Sequence, residues 1–372
     1  TITVTITGEG SYSGSVTRIY RITPKPATVT ADDKSKVYGD VDPELTATDS
    51  GLLGTDKVTY TLGREAGEKE GTYAITPSGE EIQGNYTVTY NPGTLTITAQ
   101  SIVPEDPSYR GVTVDDPRDH EYDAQEHKWT PTVTDKEGNT LTEGTDYKVS
   151  YDTDNFVDVK TITVTITGEG SYSGSVTRTY KITPASATVT ADNKSKMFGE
   201  ADPELTADVS GLYGTDKVEY TLSREPGENV GDYVITASGE ADQGNYTVTY
   251  NPGTLTITRK GTLTVTGTPY EGIYDGNEHG SAASANVTEG TVISYKVGDG
   301  DWTATAPTIK DVGSREVTVK AENPNYVTAE ATYTLTVNPK DVTVTADDKS
   351  KVYGDADPKL TATDSGLLGT DK

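Results

Sequence analysis

The stretch TITVTIT occupies residues 1–7 and returns unchanged at residues 161–167. Within it, Ile2, Val4 and Ile6 alternate with threonine, so the three apolar side chains lie on one face of an extended strand. Threonine suits the opposite, solvent-facing side because its β-branched side chain favours extended backbone. The stretch therefore predicts a β-strand with one buried face.

The same alternation recurs along the chain, as in ATVTA (27–31), YTVTY (86–90), TLTIT (94–98) and TLTVT (262–266). No segment shows the 3.6-residue period of a helix, and turn signals fall about every 8–12 residues, which is typical of all-β sandwiches and barrels. We predict an all-β chain. Within residues 25–98, strands are expected at 27–32, 35–38, 45–49, 57–64, 71–77, 86–90 and 94–98, the last two joined as a hairpin through Asn91-Pro92-Gly93 with glycine at positive φ.

Long-range repetition organises these strands. Residues 1–98 match residues 161–258 at 76 of 98 positions. A landmark pair, Tyr38-Gly39, recurs as Phe198-Gly199 and Tyr353-Gly354 and marks module type A. Module type B carries EYDAQEH (121–127) or IYDGNEH (273–279), followed by Gly170-Ser171-Tyr172 or Pro324-Asn325-Tyr326. Repetition of this kind is typical of arrays and fibres.

The repeats predict six segments of alternating type. They are the last strands of a B module at 1–24, an A module at 25–98, a B module at 99–184, an A module at 185–258, a B module at 259–339 and the first strands of an A module at 340–372. The sequence is interpreted as a window of a longer array. The connections are short and contain Pro24, Pro26, Pro184 and Pro339, so we expect small β-sandwiches forming an elongated, semi-rigid rod.

The composition restricts the partners. A formal net charge of −27 disfavours binding to phosphate backbones and to anionic membrane surfaces. No apolar run is long enough to cross a bilayer, and the absence of cysteine excludes disulfides and thiolate metal sites. The low apolar content and high net charge are also typical of disorder, but the strict alternation favours a folded chain.

Module A, with KVYGDVDPELT (36–46), GTYAIT (71–76) and NYTVTYNPGTLTIT (85–98), resembles the MBG domains (mostly β, glycine-rich) of bacterial surface proteins, of the tyrosine-glycine type. Module B, with its YDA and YDG motifs, resembles the YDG-type and immunoglobulin-like repeats of the same proteins. The resemblance implies a secreted, multi-repeat adhesin or stalk at a bacterial cell surface, and it brings no catalytic residues.

Few residues suggest chemistry, and we predict neither a catalytic nor a cofactor site. His127 and His279 each follow a glutamate, Glu126 or Glu278, and are interpreted as structural or surface residues. Trp129 and Trp302 are assigned to packing in preference to sugar stacking. Lys34, Lys36 and Lys57 are interpreted as surface charges, which argues against a self-generated crosslink that would need a buried lysine.

Acidic turns leave Ca²⁺ as the one alternative cofactor. Asp40 and Asp42 recur as Glu200 and Asp202 and again as Asp355 and Asp357, with Asp32 and Asp33 just upstream. Hard oxygen ligands at module junctions could bind calcium. The spacing is not that of an EF-hand, and aspartate before proline is common in turns. We therefore predict no metal site.

A non-enzymatic structural function fits these observations best. The leading hypothesis is a stalk or spacer that projects a distal binding region, its partners being the neighbouring modules of one long chain. Two alternatives remain open. The modules could bind host glycans or proteins themselves, or the chain could be a subunit of an extracellular filament joined through strand edges.

Overall fold

The computed structural model describes residues 1–372, which form strands and connecting turns without a helix. The predicted all-β class is confirmed. The chain divides into two compact units, Thr1–Ala185 with Gly244–Tyr246, and Ser186–Gln243 with Thr247–Lys372. Each unit is described separately.

The first unit starts with an isolated antiparallel hairpin of β1 (Ile2–Thr7) and β2 (Ser15–Tyr20). Every side chain in both strands is exposed, including the alternating apolar residues of TITVTIT. The strand is therefore formed as predicted, and its apolar face lies open to solvent.

Residues 25–98 form two four-stranded sheets. Their strands are β3 (Lys25–Ala31), β4 (Lys34–Val37), β5 (Ala47–Ser50), β6 (Thr61–Arg64), β7 (Gly71–Ser78), β8 (Ile82–Gln83), β9 (Tyr86–Asn91) and β10 (Gly93–Thr98). One sheet has the order β5-β3-β9-β8 and the other β4-β10-β7-β6. The buried residues form two clusters. Val29 and Val88 of the first sheet pack with Val58, and Ile75 and Leu95 of the second sheet pack with Ala31 of β3.

The predicted strand at 57–64 is shorter than expected, because only Thr61–Arg64 pairs with β7. Upstream of this strand, the Thr59 N–H donates to the side-chain Oε1 of Gln83 at 2.7 Å and not to the backbone of a neighbouring strand. Gln83 belongs to the short strand Ile82–Gln83. The alternation pattern does not predict this strand, because two residues are too few to show a period.

The expected hairpin at Asn91-Pro92-Gly93 is wrong. Strands β9 and β10 lie in different sheets, where β9 pairs in parallel with β3 and β10 pairs in parallel with β4. The three residues therefore carry the chain from one sheet to the other. Gly93 does not have positive φ. Glycine is required there because a Cβ atom would lie 2.5 Å from the carbonyl oxygen of Ala31.

Replacing Gly93 with alanine is expected to destabilise residues 25–98 by about 1 to 2 kcal/mol, because the backbone of Ala31 must shift to admit the methyl group. Gly63→Ala is the matched control, since a Cβ atom at Gly63 meets nothing within 4 Å and its φ is not positive. Hydrogen exchange of β3 and β10 measures both. Equal protection in the two variants would show that the close approach of Gly93 to Ala31 does not require glycine.

Residues 99–184 form a second module in the first unit. Its strands are β11 (Gln100–Ser101), β12 (Thr113–Val114), β13 (His120–Glu121), β14 (Val133–Thr134), β15 (Tyr147–Tyr151), β16 (Lys160–Gly168), β17 (Tyr172–Ser173) and β18 (Ser175–Thr183). The main sheet has the order β13-β18-β16-β15, and the pairs β12-β14 and β11-β17 accompany it. Here TITVTIT is the centre of β16, and Ile162, Val164 and Ile166 are fully buried.

The second unit repeats this plan. Residues 185–258 contain β19 (Ala185–Ala191), β20 (Lys194–Met197), β21 (Ala207–Ser210), β22 (Thr221–Arg224), β23 (Gly231–Ser238), β24 (Asp242–Gln243), β25 (Tyr246–Asn251) and β26 (Gly253–Thr258). They form sheets of order β21-β19-β25-β24 and β20-β26-β23-β22, the same as in residues 25–98.

Residues 259–339 contain β27 (Val265–Thr266), β28 (Tyr270–Ile273), β29 (Ser284–Ala285), β30 (Val292–Val297), β31 (Gly313–Glu322) and β32 (Ala329–Asn338). The main sheet is β28-β32-β31-β30, with β27-β29 beside it. The unit ends in an exposed hairpin of β33 (Thr343–Ala346) and β34 (Ala362–Ser365). The six segment boundaries stay a prediction.

Candidate functional site

The Tyr-Gly loop, residues 37–43, follows strand β4 and lies above a buried lysine. The Lys36 side chain is only 4% exposed, and its Nζ donates to Asp42 Oδ1 at 2.7 Å and to Glu68 Oε2 at 2.6 Å. It also donates to the backbone carbonyl of Asp40 at 3.1 Å. The interpretation of Lys36 as a surface charge is therefore wrong. Lys36 occupies an inward position of β4, in register with the buried Ile97 of β10.

Arg64 completes this cluster, which we call the charge network. Its Nε donates to Asp42 Oδ2 at 2.6 Å, and its guanidinium also contacts Glu68 and donates to the carbonyl oxygen of Gly67. The network thus joins the Tyr-Gly loop to the loop at residues 64–68. It recurs in the second unit through Lys196, Asp202, Arg224 and Glu228.

The charge network keeps its members ionised. Hydrogen bonds from Arg64 and then Lys36 lower the pKa of Asp42 below its usual value. Burial opposes the charge on Lys36, but the hydrogen bonds to Asp42 and Glu68 outweigh it and raise the pKa of the lysine. A self-generated amide would require a neutral amine and a neutral acid. The arrangement is therefore that of a structural ion-pair cluster.

Three of the other acidic residues considered for calcium, Asp40, Asp32 and Asp33, are bound to groups of the chain. Asp40 receives hydrogen bonds from Arg110 at 2.8 and 3.0 Å, and these lower the pKa of Asp40. Asp32 accepts from the hydroxyls of Thr46 and Thr48, and Asp33 accepts from the Thr94 N–H at 2.8 Å. No group of three or more histidines and carboxylates is arranged to hold a metal ion.

The Tyr-Gly loop also forms the contact between residues 25–98 and residues 99–184. The rings of Tyr38 and Tyr172 meet edge to face with centroids 5.5 Å apart. Tyr172 belongs to Gly170-Ser171-Tyr172, which we call the tyrosine turn. Ser171 connects the start of its own module to the A module, because its carbonyl accepts from the Gln100 N–H at 2.9 Å and its hydroxyl accepts from the Glu70 N–H at 3.2 Å.

The second unit forms the same junction with different side chains. Phe198 and Tyr326 meet edge to face at 5.8 Å. In its tyrosine turn, Pro324-Asn325-Tyr326, the Asn325 carbonyl accepts from the Lys260 N–H at 2.9 Å and its side-chain Oδ1 accepts from the Val230 N–H at 2.8 Å. Asn325 also donates to the side chain of Asn229 at 3.0 Å. The two junctions therefore share their backbone contacts and differ in side-chain chemistry.

The histidines of module B pair with aspartates of their own motif. His127 Nε2 lies 2.8 Å from Asp123 Oδ1, and His279 Nε2 lies 2.7 Å from Asp275 Oδ1. The hydrogen bond from His279, with support from the Asn277 backbone, lowers the pKa of Asp275 to about 2. The preceding glutamates are not the partners. Each pair closes a local turn, which is a structural use of histidine.

Both tryptophans are half-buried in local packing. Lysines 296 and 320 lie 5.4 and 4.7 Å from the centre of the Trp302 ring. The Trp129 backbone N–H donates to the Tyr180 hydroxyl at 3.3 Å, and its carbonyl accepts from Tyr151 at 2.8 Å. These contacts are those of packing residues.

Sequence reasoning found the Tyr-Gly pair and the tyrosine turn separately but did not bring them together. It missed Arg64, Glu68 and Arg110. For the first two a signal existed, because Arg64 and Glu68 recur 160 positions later as Arg224 and Glu228. Arg110 contacts a residue 70 positions away, and no motif marks it.

Comparison with known families gives one match. The model of the MBG domain (YGX type) matches residues 27–96, 187–256 and 342–372. These ranges include most of the A modules and their Tyr-Gly pairs, so the resemblance of the A modules to MBG domains is confirmed. No curated protein matches the chain.

The solved structures that match the chain include cadherin and immunoglobulin domains. The protocadherin GammaB4 extracellular domain is 12% identical, with 88% of this chain and 70% of that one covered and a TM-score of 0.29. Sidekick-1 immunoglobulin domains 1–5 are 13% identical, with 82% and 79% covered and a TM-score of 0.26. Drosophila N-cadherin EC1-4 is 10% identical, with 72% and 83% covered and a TM-score of 0.22. TM-scores this low support no conclusion about fold or function, so the fold class is assigned from the strands of this structure. The structure contains no helix that is long and apolar enough to cross a membrane.

Proposed function

Three segments of the chain belong to the MBG domain family (YGX type), and from this premise we propose that the chain is a non-catalytic stalk or spacer of an extracellular bacterial adhesin. It would hold a distal binding region away from the cell surface. The family assignment supports a repeat protein, and the bacterial surface and the stalk role are our inference.

One observation carries the proposal. In each unit an A module is joined to the following B module without a flexible tether, and direct contacts cross the junction. Thr98 ends the last A strand and Gln100 starts the first B strand, which pairs with the tyrosine turn. Short connections with docked neighbours resist bending, which is the property that a spacer needs.

The acidic surface supports the same function. A net charge of −27 repels neighbouring copies and keeps them apart at low and moderate ionic strength. Each of the two complete A modules also contains the charge network, in which one lysine and one arginine pair with carboxylates of the same module.

Small-angle X-ray scattering behind a sizing column, with in-line mass determination, tests the proposal. Compact modules of about 80 residues measure roughly 30–40 Å each, so a stalk is expected to be a monomer with a longest dimension of about 150–180 Å. The dimension should be equal in calcium and in chelator. A compact particle would contradict the stalk, and a mass of several chains would favour the filament.

A further inference from the structure

We propose that the contact between the Tyr-Gly loop of an A module and the tyrosine turn of the B module that follows is what makes their junction rigid. The inference rests on the proposed stalk function and assigns its rigidity to particular residues. It gives the tyrosine and glycine of the A repeat a role in joining modules.

The first support is that one residue of the turn binds both the start of its own B module and the preceding A module. The backbone carbonyl of residue 171 or 325 accepts from the backbone N–H of Gln100 or Lys260, at the start of the B module. Its side-chain oxygen accepts from the A module, at the backbone N–H of Glu70 or Val230. One residue of the turn therefore connects the first residues of the B module to the body of the A module.

The second support is the aromatic contact, which is present in both units although the residues differ. Tyr38 meets Tyr172, and Phe198 meets Tyr326, each edge to face. Edge-to-face pairs are worth about 0.5–1.5 kcal/mol beyond their buried area. Gly39 has a φ of +84°, a backbone conformation that glycine adopts without strain, so it lets the loop turn directly after Tyr38.

The third support is that the A side of the junction is held rigid before the B module contacts it. The charge network ties the Tyr-Gly loop to the loop at residues 64–68. Glu70, whose N–H binds Ser171, lies two positions beyond Glu68 of that network. A preorganised surface loses less conformational entropy on docking.

Side-chain chemistry then distinguishes the two junctions. The first adds the bidentate ion pair of Asp40 and Arg110, whose oxygen–nitrogen distances are 2.8 and 3.0 Å. The second has glutamate at position 200 in place of aspartate, and uses the amides of Asn229 and Asn325 instead. Each A module thus carries contacts suited to its own B module.

Distance distributions between paired spin labels test the inference in the full chain, which has no cysteine to remove. Lys57→Cys with Glu126→Cys spans the first junction, and Lys217→Cys with Glu278→Cys spans the second. Each background then receives Tyr38→Ala, or Ser171→Ala combined with Asp40→Ala. The second junction, which these substitutions do not touch, is the internal reference.

The wild-type distribution is expected to be narrow, and either variant is expected to at least double its width at the first junction only. Tyr353→Ala and Ser11→Ala are the matched controls, because they occupy the same repeat positions in the exposed terminal hairpin segments, and they should change neither width.

Hydrogen exchange of β10 and β16 checks that both cores stay folded. If Tyr38→Ala loosens a core, the Ser171→Ala and Asp40→Ala variant decides, since both of its side chains are partly exposed and lie outside the buried clusters. An unchanged width in that variant would overturn the inference. The stalk proposal has a separate test. A compact particle or a mass of several chains in the scattering experiment would overturn it, even if the label distance distributions stayed narrow.

Discussion

Replacing Ile166 with alanine is expected to lower the free energy of unfolding of residues 99–184 by about 3 to 4 kcal/mol. Ile166 is 0% exposed in β16, so truncation removes transfer free energy and leaves a cavity. The same change at Ile6, which lies in an identical local sequence but is 67% exposed, should cost less than about 0.5 kcal/mol.

Hydrogen exchange at β16 and β18 measures this contrast in the full chain. Because several modules unfold in one molecule, a single melting temperature is not a sufficient measure. Ile6→Ala is the control, and it should leave exchange in β16 unchanged. Similar losses of protection from the two substitutions would mean that the exposure difference does not reflect the packing.

Replacing Asp42 with asparagine is expected to destabilise residues 25–98 by about 2 kcal/mol, more than replacing Lys36 with methionine. The neutral amide would leave the buried Lys36 ammonium short of one carboxylate, and removing one partner of a buried pair is the costly change. The value is set below that of a fully buried pair because the Asp42 side chain is 39% exposed. Methionine keeps the length of lysine and removes the buried charge, so Lys36→Met should cost less than about 1 kcal/mol.

The second copy of the network provides an internal control for this comparison. Urea-dependent hydrogen exchange should show reduced protection of β7 and β10, while β23 and β26 around Lys196 stay unchanged. A larger loss from Lys36→Met than from Asp42→Asn would contradict the assignment of a buried, compensated charge.

The effect of Asp42 should also depend on pH. Its pKa is lowered in the folded state, so its contribution to stability is present above the unfolded value of 3.8 and is lost as pH falls through the lower folded value. Wild type and Asp42→Asn are therefore expected to differ at about pH 6, and the difference should shrink as pH falls below 3.8. A constant difference across this range would contradict the ion-pair explanation.

Most strands could be predicted from the sequence because the alternation of threonine with apolar residues has the period of a strand. In residues 25–98, β3, β7, β9 and β10 lie within one or two residues of their predicted positions. Strand pairing could not be predicted in the same way. Alternation identifies the buried face but not the neighbour, so the sequence predicts a hairpin at Asn91-Pro92-Gly93 although the chain crosses between sheets there.

The candidate site was less predictable for a related reason. Lysine is rarely buried, so composition assigns Lys36 to the surface, and only its inward position in β4 and its distant partner Glu68 place it in the interior. The Tyr-Gly pair and the tyrosine turn were both visible as repeats. Their contact depends on how the B module packs against the A module, and no local sequence pattern reports that packing.

The parallel pairing described above determines how these modules would respond to tension. Strand β4 runs parallel to β10, and β28 runs parallel to β32, so in each module an early strand lies alongside the last one. When the two ends of such a module are pulled apart, these neighbours slide along each other. Their evenly spaced hydrogen bonds then bear the load together, instead of opening one after another from an end. A chain of such modules would yield only when a whole row of bonds breaks.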